Sequence, residues 1–207
     1  MQIEQLIVGP LFSNCYIVSD KQTSEGIIID PGDDANAILA MINELGINIK
    51  YIVATHGHFD HIGAVNTVKE KTKAPFLAHE EDLFFIRDAV KSAQKWGIEI
   101  EKPPLPDKFI KEPDEVKIKN IKFKVIDSPG HSPGGICLLN DKVIFCGDTL
   151  FQGSIGRTDF RKGSFEQLSK SIKTKIYTLP EDTIVYAGHG PNTTIGFEKR
   201  TNPFVRG

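Results

Sequence analysis

The stretch THGHFDHIG, residues 55–63, constrains this chain more than any other. Between His56 and His61 it holds three of the six histidines in 207 residues, together with Asp60. It follows the apolar run IKYIVAT and precedes a helical pattern, so it lies where a predicted strand gives way to a helix. Imidazole and carboxylate are ligands that zinc, iron and manganese accept. The motif therefore predicts half of a metal site on a strand-end loop.

Three further candidate ligands occupy the same kind of position. His131 follows the run KVID, Asp148 follows KVIFC and His189 follows TIVY, each in a glycine-containing loop. Taken singly, such a histidine is more often a turn residue and such an aspartate a turn cap. Because rigid sheets commonly hold functional groups on strand-end loops, we expect the four loops to converge. The candidate ligands are His56, His58, Asp60, His61, His131, Asp148 and His189.

Three other residues near these motifs have plainer interpretations. His79, in AHEED, has no glycine loop, and we interpret it as an exposed residue at a helix start. Cys146 could offer a thiolate to zinc, but Asp148 is nearer the strand end, so we interpret Cys146 as a small buried residue. Asp30, in IIIDPG, is either a turn cap or an acceptor for the ring N–H of a ligand histidine. The sequence leaves these two roles of Asp30 open.

The pattern of apolar residues predicts one α/β domain, residues 1–207. Runs rich in Ile and Val between Gly, Pro, Ser and Asp predict short strands, two of them joined by a turn at Asn140-Asp141. Helical spacing predicts helices within 38–45, 64–68, 80–96 and 164–176. We assign Leu83 and Phe84 of the third helix, and Phe165 of the fourth, to buried faces. Two sheets with helices outside are the expected layering.

Composition argues against several partners. The net charge of −2 gives no basic excess for nucleic acid, and no apolar run approaches the roughly 20 residues that span a bilayer. We therefore expect neither nucleic acid nor a membrane as a partner. The three cysteines are odd in number and form no C-x-x-C pair, and no signal peptide is visible. We expect a reduced, cytoplasmic protein.

Together these motifs resemble the metallo-β-lactamase superfamily and, within it, the short single-domain form of the glyoxalase II group, the hydroxyacylglutathione hydrolases. The resemblance covers nearly the whole chain, through NCYIV, IIIDPG, THGHFDHIG, PGHSPGG, GDTLF, GSIGRTDF, AGHGP and TIGFEKRTNPF. It implies an αββα sandwich without the C-terminal helical glutathione-binding domain of the larger enzymes. It also implies no β-lactamase activity, because the lactamases proper carry a cysteine where this chain has Asp148.

The resemblance implies two divalent metal ions, zinc first, with iron or manganese as alternatives. The first ion would take His56, His58 and His131. The second would take Asp60, His61 and His189, and Asp148 and a hydroxide would bridge the pair. Two such ions lower the pKa of a shared water. The expected reaction is attack of the hydroxide on a thioester carbonyl, with Asp60 orienting it.

The substrate that the resemblance implies is a glutathione-linked thioester, S-lactoylglutathione first. Arg157, in SIGRTDF, stands where glyoxalase II enzymes carry a cation for the peptide part of glutathione, and a guanidinium suits a carboxylate. The alternative is a persulfide dioxygenase with one iron on His56, His131 and Asp148, because those relatives share the GRTDF stretch. A nuclease or phosphodiesterase is disfavoured by the charge, and a non-catalytic metal-binding protein by the complete ligand set.

Overall fold

The structure, a computed structural model, describes all residues from 1 to 207. Its first sheet has six strands that neighbour one another in chain order. They are β1 (Gln2–Val8), β2 (Ser13–Ser19), β3 (Glu25–Ile29), β4 (Asn48–Val53), β5 (Phe76–Ala78) and β6 (Lys108–Phe109). The pairs from β1 to β3 are antiparallel and those from β3 to β6 are parallel. Since parallel neighbours end at the same edge, the loops after β3 and β4 lie side by side.

The second sheet also has six strands, in the order β14-β13-β10-β9-β8-β7. They are β7 (Glu115–Ile118), β8 (Ile121–Asp127), β9 (Ile136–Asn140), β10 (Val143–Gly147), β13 (Ile184–Ala187) and β14 (Thr193–Thr194), and a separate hairpin joins β11 (Leu150–Phe151) to β12 (Ser154–Ile155). β10 runs parallel to β13, and β9 is antiparallel to both β8 and β10. The strands β8, β10 and β13 therefore end at one edge.

Six α-helices complete the fold. They are α1 (Ala35–Glu44), α2 (Phe59–Ile62), α3 (Val65–Thr72), α4 (Leu83–Gln94), α5 (Phe165–Ser171) and α6 (Ile195–Thr201). A 3-10 turn, Glu80–Asp82, precedes α4, and a π-helical segment, Ile172–Ile176, continues α5. None of these helices is both long enough and apolar enough to cross a membrane.

Alternation along the strands produces the layers. In β2, Cys15 and Ile17 belong to the core between the first sheet and helices α1, α3 and α4, whereas Tyr16 and Val18 belong to the core between the two sheets. Successive side chains of a strand point to opposite faces, so one strand serves both cores. A third core joins the second sheet to α5, α6 and the π-helical segment. The predicted αββα sandwich is confirmed.

Some local predictions are wrong. The face of α4 that is fully buried carries Ile86, Ala89 and Ala93, whereas Leu83 and Phe84 are only half-buried. The reason is that α4 has apolar residues on two sides, one toward the sheet and one toward a surface cavity. Phe165, the first residue of α5, is exposed. The predicted hairpin turn lies one residue later, because Asn140 still pairs with Val143.

Hydrogen bonds tie the first sheet to the second at the edge where the motif loops emerge. The Tyr16 hydroxyl donates to the carbonyl of Ala187 over 2.6 Å. The Asn14 side-chain amide donates to the carbonyls of Ala187 and Gly190, each over 2.9 Å. These bonds connect β2 to both sides of the loop that carries His189. Asn14 and Tyr16 of the NCYIV stretch therefore hold the two sheets together at this edge.

We expect Tyr16→Phe to lower the free energy of unfolding by about 0.5–1.5 kcal/mol, the usual net contribution of one hydrogen bond. The loss stays modest because Asn14 still donates to the Ala187 carbonyl. Urea denaturation followed by circular dichroism measures it. Tyr51→Phe, at a half-buried tyrosine packed against the same core, is the matched control. Equal stability of Tyr16→Phe and the wild type would show that this tie contributes nothing.

Candidate metal centre

Four loops at one edge of the sandwich bring all seven candidate ligands together. The loop after β4 and the first turn of α2 carry His56, His58, Asp60 and His61. The loops after β8, β10 and β13 carry the other three, His131, Asp148 and His189. The side chains form two clusters, one of histidines alone and one that includes a carboxylate.

The first cluster consists of three imidazole nitrogens. His131 Nε2 lies 3.3 Å from His56 Nε2 and 2.9 Å from His58 Nδ1. Zinc–nitrogen bonds of about 2.0–2.1 Å in a tetrahedron separate two ligand nitrogens by about 3.3–3.4 Å. The three nitrogens are therefore spaced closely enough to share one ion.

The second cluster adds a carboxylate. His61 Nε2 lies 3.3 Å from His189 Nε2. Asp60 Oδ2 lies 3.3 Å from His189 Nε2 and 3.6 Å from His61 Nε2. The Ser13 hydroxyl donates to the same Asp60 oxygen over 3.0 Å. These three ligand atoms are again at the spacing that one ion requires.

Asp148 stands between the two clusters. Its Oδ1 lies 3.4 Å from His61 Nε2, and its Oδ2 lies 3.5 Å from His131 Nε2. Oδ1 is buried and receives no hydrogen bond, an arrangement that is costly unless a cation is present. A methyl group on Gly188 would overlap this oxygen, so the glycine leaves room for the carboxylate. The site fits a metal on each side of Asp148.

Asp30 orients one histidine of each cluster. Its carboxylate accepts from the Thr55 hydroxyl over 2.6 Å and faces His61 Nδ1 at 3.1 Å. The Thr55 oxygen in turn lies 3.2 Å from His56 Nδ1. Because Asp30 only accepts, the network places a ring proton of His61 and one of His56 on Nδ1, and it turns both Nε2 atoms toward the ligand clusters, where a metal can replace any proton they carry. Asp30 is thus placed to orient both rings, and with His56 and His61 it also forms a third group of side chains close enough together to hold one ion.

His131 is oriented by the backbone. Its Nδ1 lies 2.7 Å from the carbonyl oxygen of Arg157, which can only accept a hydrogen bond, so Nε2 is bare and faces the cluster. His58 presents Nδ1 instead, and its buried Nε2 has no partner. The main chain of Arg157 therefore supports the metal site whatever its side chain does.

Burial and charge act differently on the two clusters. Burial, with the neighbouring histidines, lowers the pKa of His56 well below its usual value, and burial lowers that of His58 to about 3. Burial opposes protonation of His61 too, but the carboxylates of Asp60, Asp148 and Asp30 outweigh it and raise its pKa to about 10. His56 and His58 are therefore neutral imidazoles, ready to bind a metal. The second lies in a negative field that attracts any cation.

Of the predictions for His79 and Cys146, one is partly wrong and the other is confirmed. His79 does begin the 3-10 turn, where its Nδ1 accepts from the Glu81 backbone N–H over 3.1 Å. The prediction that it is exposed is wrong, because only 8% of the residue is accessible. Its ring folds back over the turn and points toward Asp127, 3.8 Å away. Cys146 is fully buried in the core of the second sheet, as predicted.

A cavity of about 710 Å³ opens above the two clusters. Ligand side chains form its floor and aromatic rings part of its wall. Phe85 lies 4.5 Å from the His58 ring, and Phe160 lies 4.9 Å from the same ring. This wall was not predicted from the sequence. The adjacent Phe84 and Phe85, which lie off the buried face of α4, could have indicated an aromatic surface there. The cavity also has a basic rim, in which Lys91, Lys95, Arg157 and Arg161 outnumber one carboxylate, Asp88.

Arg157 lies on the cavity, as the substrate-binding prediction requires, but it is not free. Its guanidinium donates twice to Asp159, over 3.0 and 2.8 Å. It also lies 4.6 Å from the centre of the Phe160 ring. No sequence pattern predicted this ion pair, which partly neutralises the predicted cation.

Comparison with known proteins places this architecture in a family. The model of the metallo-beta-lactamase superfamily matches residues 8–189. The chain is 40% identical over 209 residues to the hydroxyacylglutathione hydrolase GloC of Haemophilus influenzae, an alignment that covers 99% of this chain and 98% of GloC. Both findings extend across all the candidate ligands.

Two solved structures resemble the whole chain. One, described as the BLEG-1 B3 metallo-beta-lactamase, has a TM-score of 0.93 at 38% identity and covers 100% of both chains. The other, TTHA1623 in a di-iron-bound form, has a TM-score of 0.90 at 38% identity and covers 98% of this chain and 100% of its own. The chain therefore belongs to the metallo-β-lactamase superfamily of metal-dependent hydrolases.

Proposed function

We propose that this protein hydrolyses a hydroxyacylglutathione, such as S-lactoylglutathione, at a site that holds two divalent metal ions. The observation that carries the proposal is the position of Asp148, whose carboxylate oxygens lie 3.4–3.7 Å from nitrogens of both ligand clusters, at the floor of a cavity with a basic rim. Similarity to a relative named as such a hydrolase supports the substrate class.

The ligand chemistry suits zinc, iron or manganese. All three metals accept imidazole nitrogen and carboxylate oxygen, and the similar protein TTHA1623 has been solved in a di-iron-bound form. When bound, such ions make a hydroxide available at neutral pH and polarise a carbonyl. We propose zinc first, with iron or manganese as alternatives.

The chain's own groups would orient the attacking water. Asp60 Oδ2 faces the second cluster and already accepts from Ser13. Burial raises the pKa of Asp60, but His61 and His189 outweigh burial and lower it, so the group stays a carboxylate. We propose that Asp60 Oδ2 accepts a hydrogen bond from the attacking oxygen and fixes its direction.

The aromatic wall would hold the acyl end of the substrate. Phe85 and Phe160 flank His58, so an acyl group over the first cluster would contact ring carbons rather than bulk water. Excluding water strengthens the electrostatic interactions within a site. A small hydroxyacyl group next to these rings is consistent with the proposed substrate.

The basic rim would hold the thiol part. Lys91, Lys95 and Arg161 line the cavity, and none forms an ion pair with a carboxylate of the chain. The Arg161 guanidinium lies 5.0 Å from the Phe84 ring centre, which brings its loop against α4. Unpaired cations favour a ligand with carboxylates. Glutathione has two, and these cations extend the rim beyond Arg157.

The proposed glutathione substrate does not depend on the helical domain of larger glyoxalase II enzymes. The alignment with GloC covers 98% of GloC itself, so a relative with that name has little chain outside the shared region. We therefore assign glutathione contacts to α4 and to the loop that contains Arg157 and Arg161. Both elements lie outside the ligand motifs.

Hydrolysis of a β-lactam is the second candidate. Asp148 argues against it, since the resemblance implies a cysteine at this position in the lactamases proper. The similarity to BLEG-1, which is described as a B3 metallo-beta-lactamase, favours it. Both substrates contain a carbonyl that a hydroxide could attack, so direct assay must separate them.

We propose that the protein acts in the cytoplasm on a small molecule. All three cysteines are free and buried, which supports a reducing, cytoplasmic environment. We propose a small-molecule thioester as the partner, and neither nucleic acid nor membrane.

Metal analysis and three parallel assays test the function. We expect about two metal ions per chain after purification without chelator, because each ligand cluster suits one. We expect turnover of S-lactoylglutathione to exceed turnover of a chromogenic cephalosporin. One tightly held iron with persulfide-dependent oxygen uptake would instead favour the dioxygenase. Faster cephalosporin hydrolysis would favour the lactamase.

We expect Asp148→Ala to lose at least one metal ion and about 10³-fold in kcat, because two cations would face each other without the charge between them. Elemental analysis and steady-state kinetics measure both effects. Asp182→Ala, which removes an exposed carboxylate paired with Lys142, should change neither. Full metal content with near wild-type turnover in Asp148→Ala would show that the ligand assignment is wrong.

We expect Lys91→Ala/Lys95→Ala to raise the KM for S-lactoylglutathione several-fold to about 30-fold, with kcat nearly unchanged, because a distant cation supplies equal binding in ground and transition states. The effect should shrink at high salt. Arg157→Ala should act in the same direction but less, since Asp159 already neutralises it.

The controls for this experiment separate substrate binding from folding. Lys170→Ala/Lys173→Ala removes two exposed lysines from the opposite helical layer and should leave KM unchanged. A neutral thioester without carboxylates should be hydrolysed equally by all variants. A fall in kcat for both substrates would mean that the rim serves the metal site or the fold.

A further inference from the structure

A buried carboxylate outside the ligand set joins the two loops that form the first cluster. Asp82 is completely buried. Its Oδ2 accepts from the Gly57 backbone N–H over 2.8 Å and from the Ser132 hydroxyl over 2.7 Å. Its Oδ1 accepts from the Gly134 backbone N–H over 2.7 Å. Gly57 separates His56 from His58, and Ser132 follows His131, so one side chain touches both sources of the three nitrogens.

The surroundings of Asp82 are built for this contact. A methyl group on Gly134 would come within 2.8 Å of the Asp82 carboxyl carbon, and one on Gly57 within 2.9 Å of the Asp82 carbonyl oxygen. Such distances are too short for carbon in a folded protein. Both glycines therefore provide the space in which the loops close around the carboxylate.

An ordinary structural role does not account for this orientation. Asp82 occupies the N-cap position of α4, where an aspartate side chain usually accepts from the backbone of the first helical turn. The Asp82 side chain makes no such cap bond. The side chain points away from α4 and toward the loops, so it does not cap the N–H groups of the first turn of α4.

We infer that Asp82 is a positioning residue that sets the spacing between the His56–His58 pair and His131, and so the metal affinity of the first cluster. The inference rests on the metal binding in the proposed function. Asp82 supplies no ligand atom. Asp82 fixes the positions of the loops, whereas Asp30 fixes the orientations of the rings. The His131 nitrogen lies only 3.3 and 2.9 Å from those of His56 and His58, so a loop shift of about a few tenths of an ångström would disturb the spacing that one ion requires. Supports of this kind typically change metal affinity by about 10–100-fold.

Asp82→Asn tests the inference. The amide keeps the shape of the carboxylate, but its NH₂ group replaces an accepting oxygen and faces a hydrogen-bond donor of one of the loops. Metal-free protein is titrated with Zn²⁺ against a chelating indicator. We expect one of the two affinities to fall about 10–100-fold and the other to stay unchanged. In Asp82→Asn, anomalous diffraction at one equivalent of Zn²⁺ should show the ion in the second cluster and leave the position between His56, His58 and His131 largely empty.

Two further variants keep the test decisive. Asp20→Asn changes a similarly buried carboxylate, which accepts from the Gln22 backbone and the Asn120 amide over 2.9 and 2.7 Å at the other end of β2. It should leave both affinities unchanged. Ser132→Ala removes one of the three donors and should weaken the same site by less, even if Asp82→Asn fails to fold. Its effect should largely disappear in an Asp82→Asn background.

Equal affinities in wild type, Asp82→Asn and Ser132→Ala would overturn the inference. So would equal weakening of both positions in Ser132→Ala, since a general loss of stability would act on both. The melting temperature of the metal-free variants, compared with Asp20→Asn, measures that general loss. If the wild type itself binds fewer than two ions, the proposed function fails, whatever the variants do.

Discussion

Imidazole nitrogens that face one another repel unless a proton or a metal ion lies between them, and the edge of this sandwich is organised around that constraint. Nitrogens of different histidines approach within 2.9 to 3.3 Å in both clusters. Asp30 and the Arg157 carbonyl hold ring protons on the outer nitrogens and so expose the inner ones. Metal binding is therefore coupled to the folding of these loops.

Two buried carboxylates, Asp30 and Asp82, hold different parts of the site. Asp30 acts on rings, one in each cluster, directly on His61 and through Thr55 on His56. Asp82 accepts from backbone N–H groups, that of Gly57 between His56 and His58 and that of Gly134 three residues after His131. A ring can turn and a loop can shift independently, so an accurate metal site needs both supports.

Family membership fixes the metal-dependent chemistry more firmly than it fixes the substrate. Similar proteins are named as a glutathione thioester hydrolase and as a lactamase. The elements that would discriminate between substrates are α4, with Lys91 and Lys95, and the loop that carries Arg157 and Arg161. These cations lie at the rim, where they can change without disturbing the ligands. Substrate choice can therefore vary on one metal-binding frame.

The sequence by itself determined the αββα layers and a set of candidate ligands that the structure brings together, because strand periodicity and strand-end loops are local properties. It left Asp30 between two roles, misjudged the exposure of His79 and the buried face of α4, and gave no sign of Asp82. Each depends on which distant segment packs against it: Asp82 meets Ser132, fifty residues away. Only the tertiary structure decides such contacts, since no local pattern encodes the partner of a buried polar group.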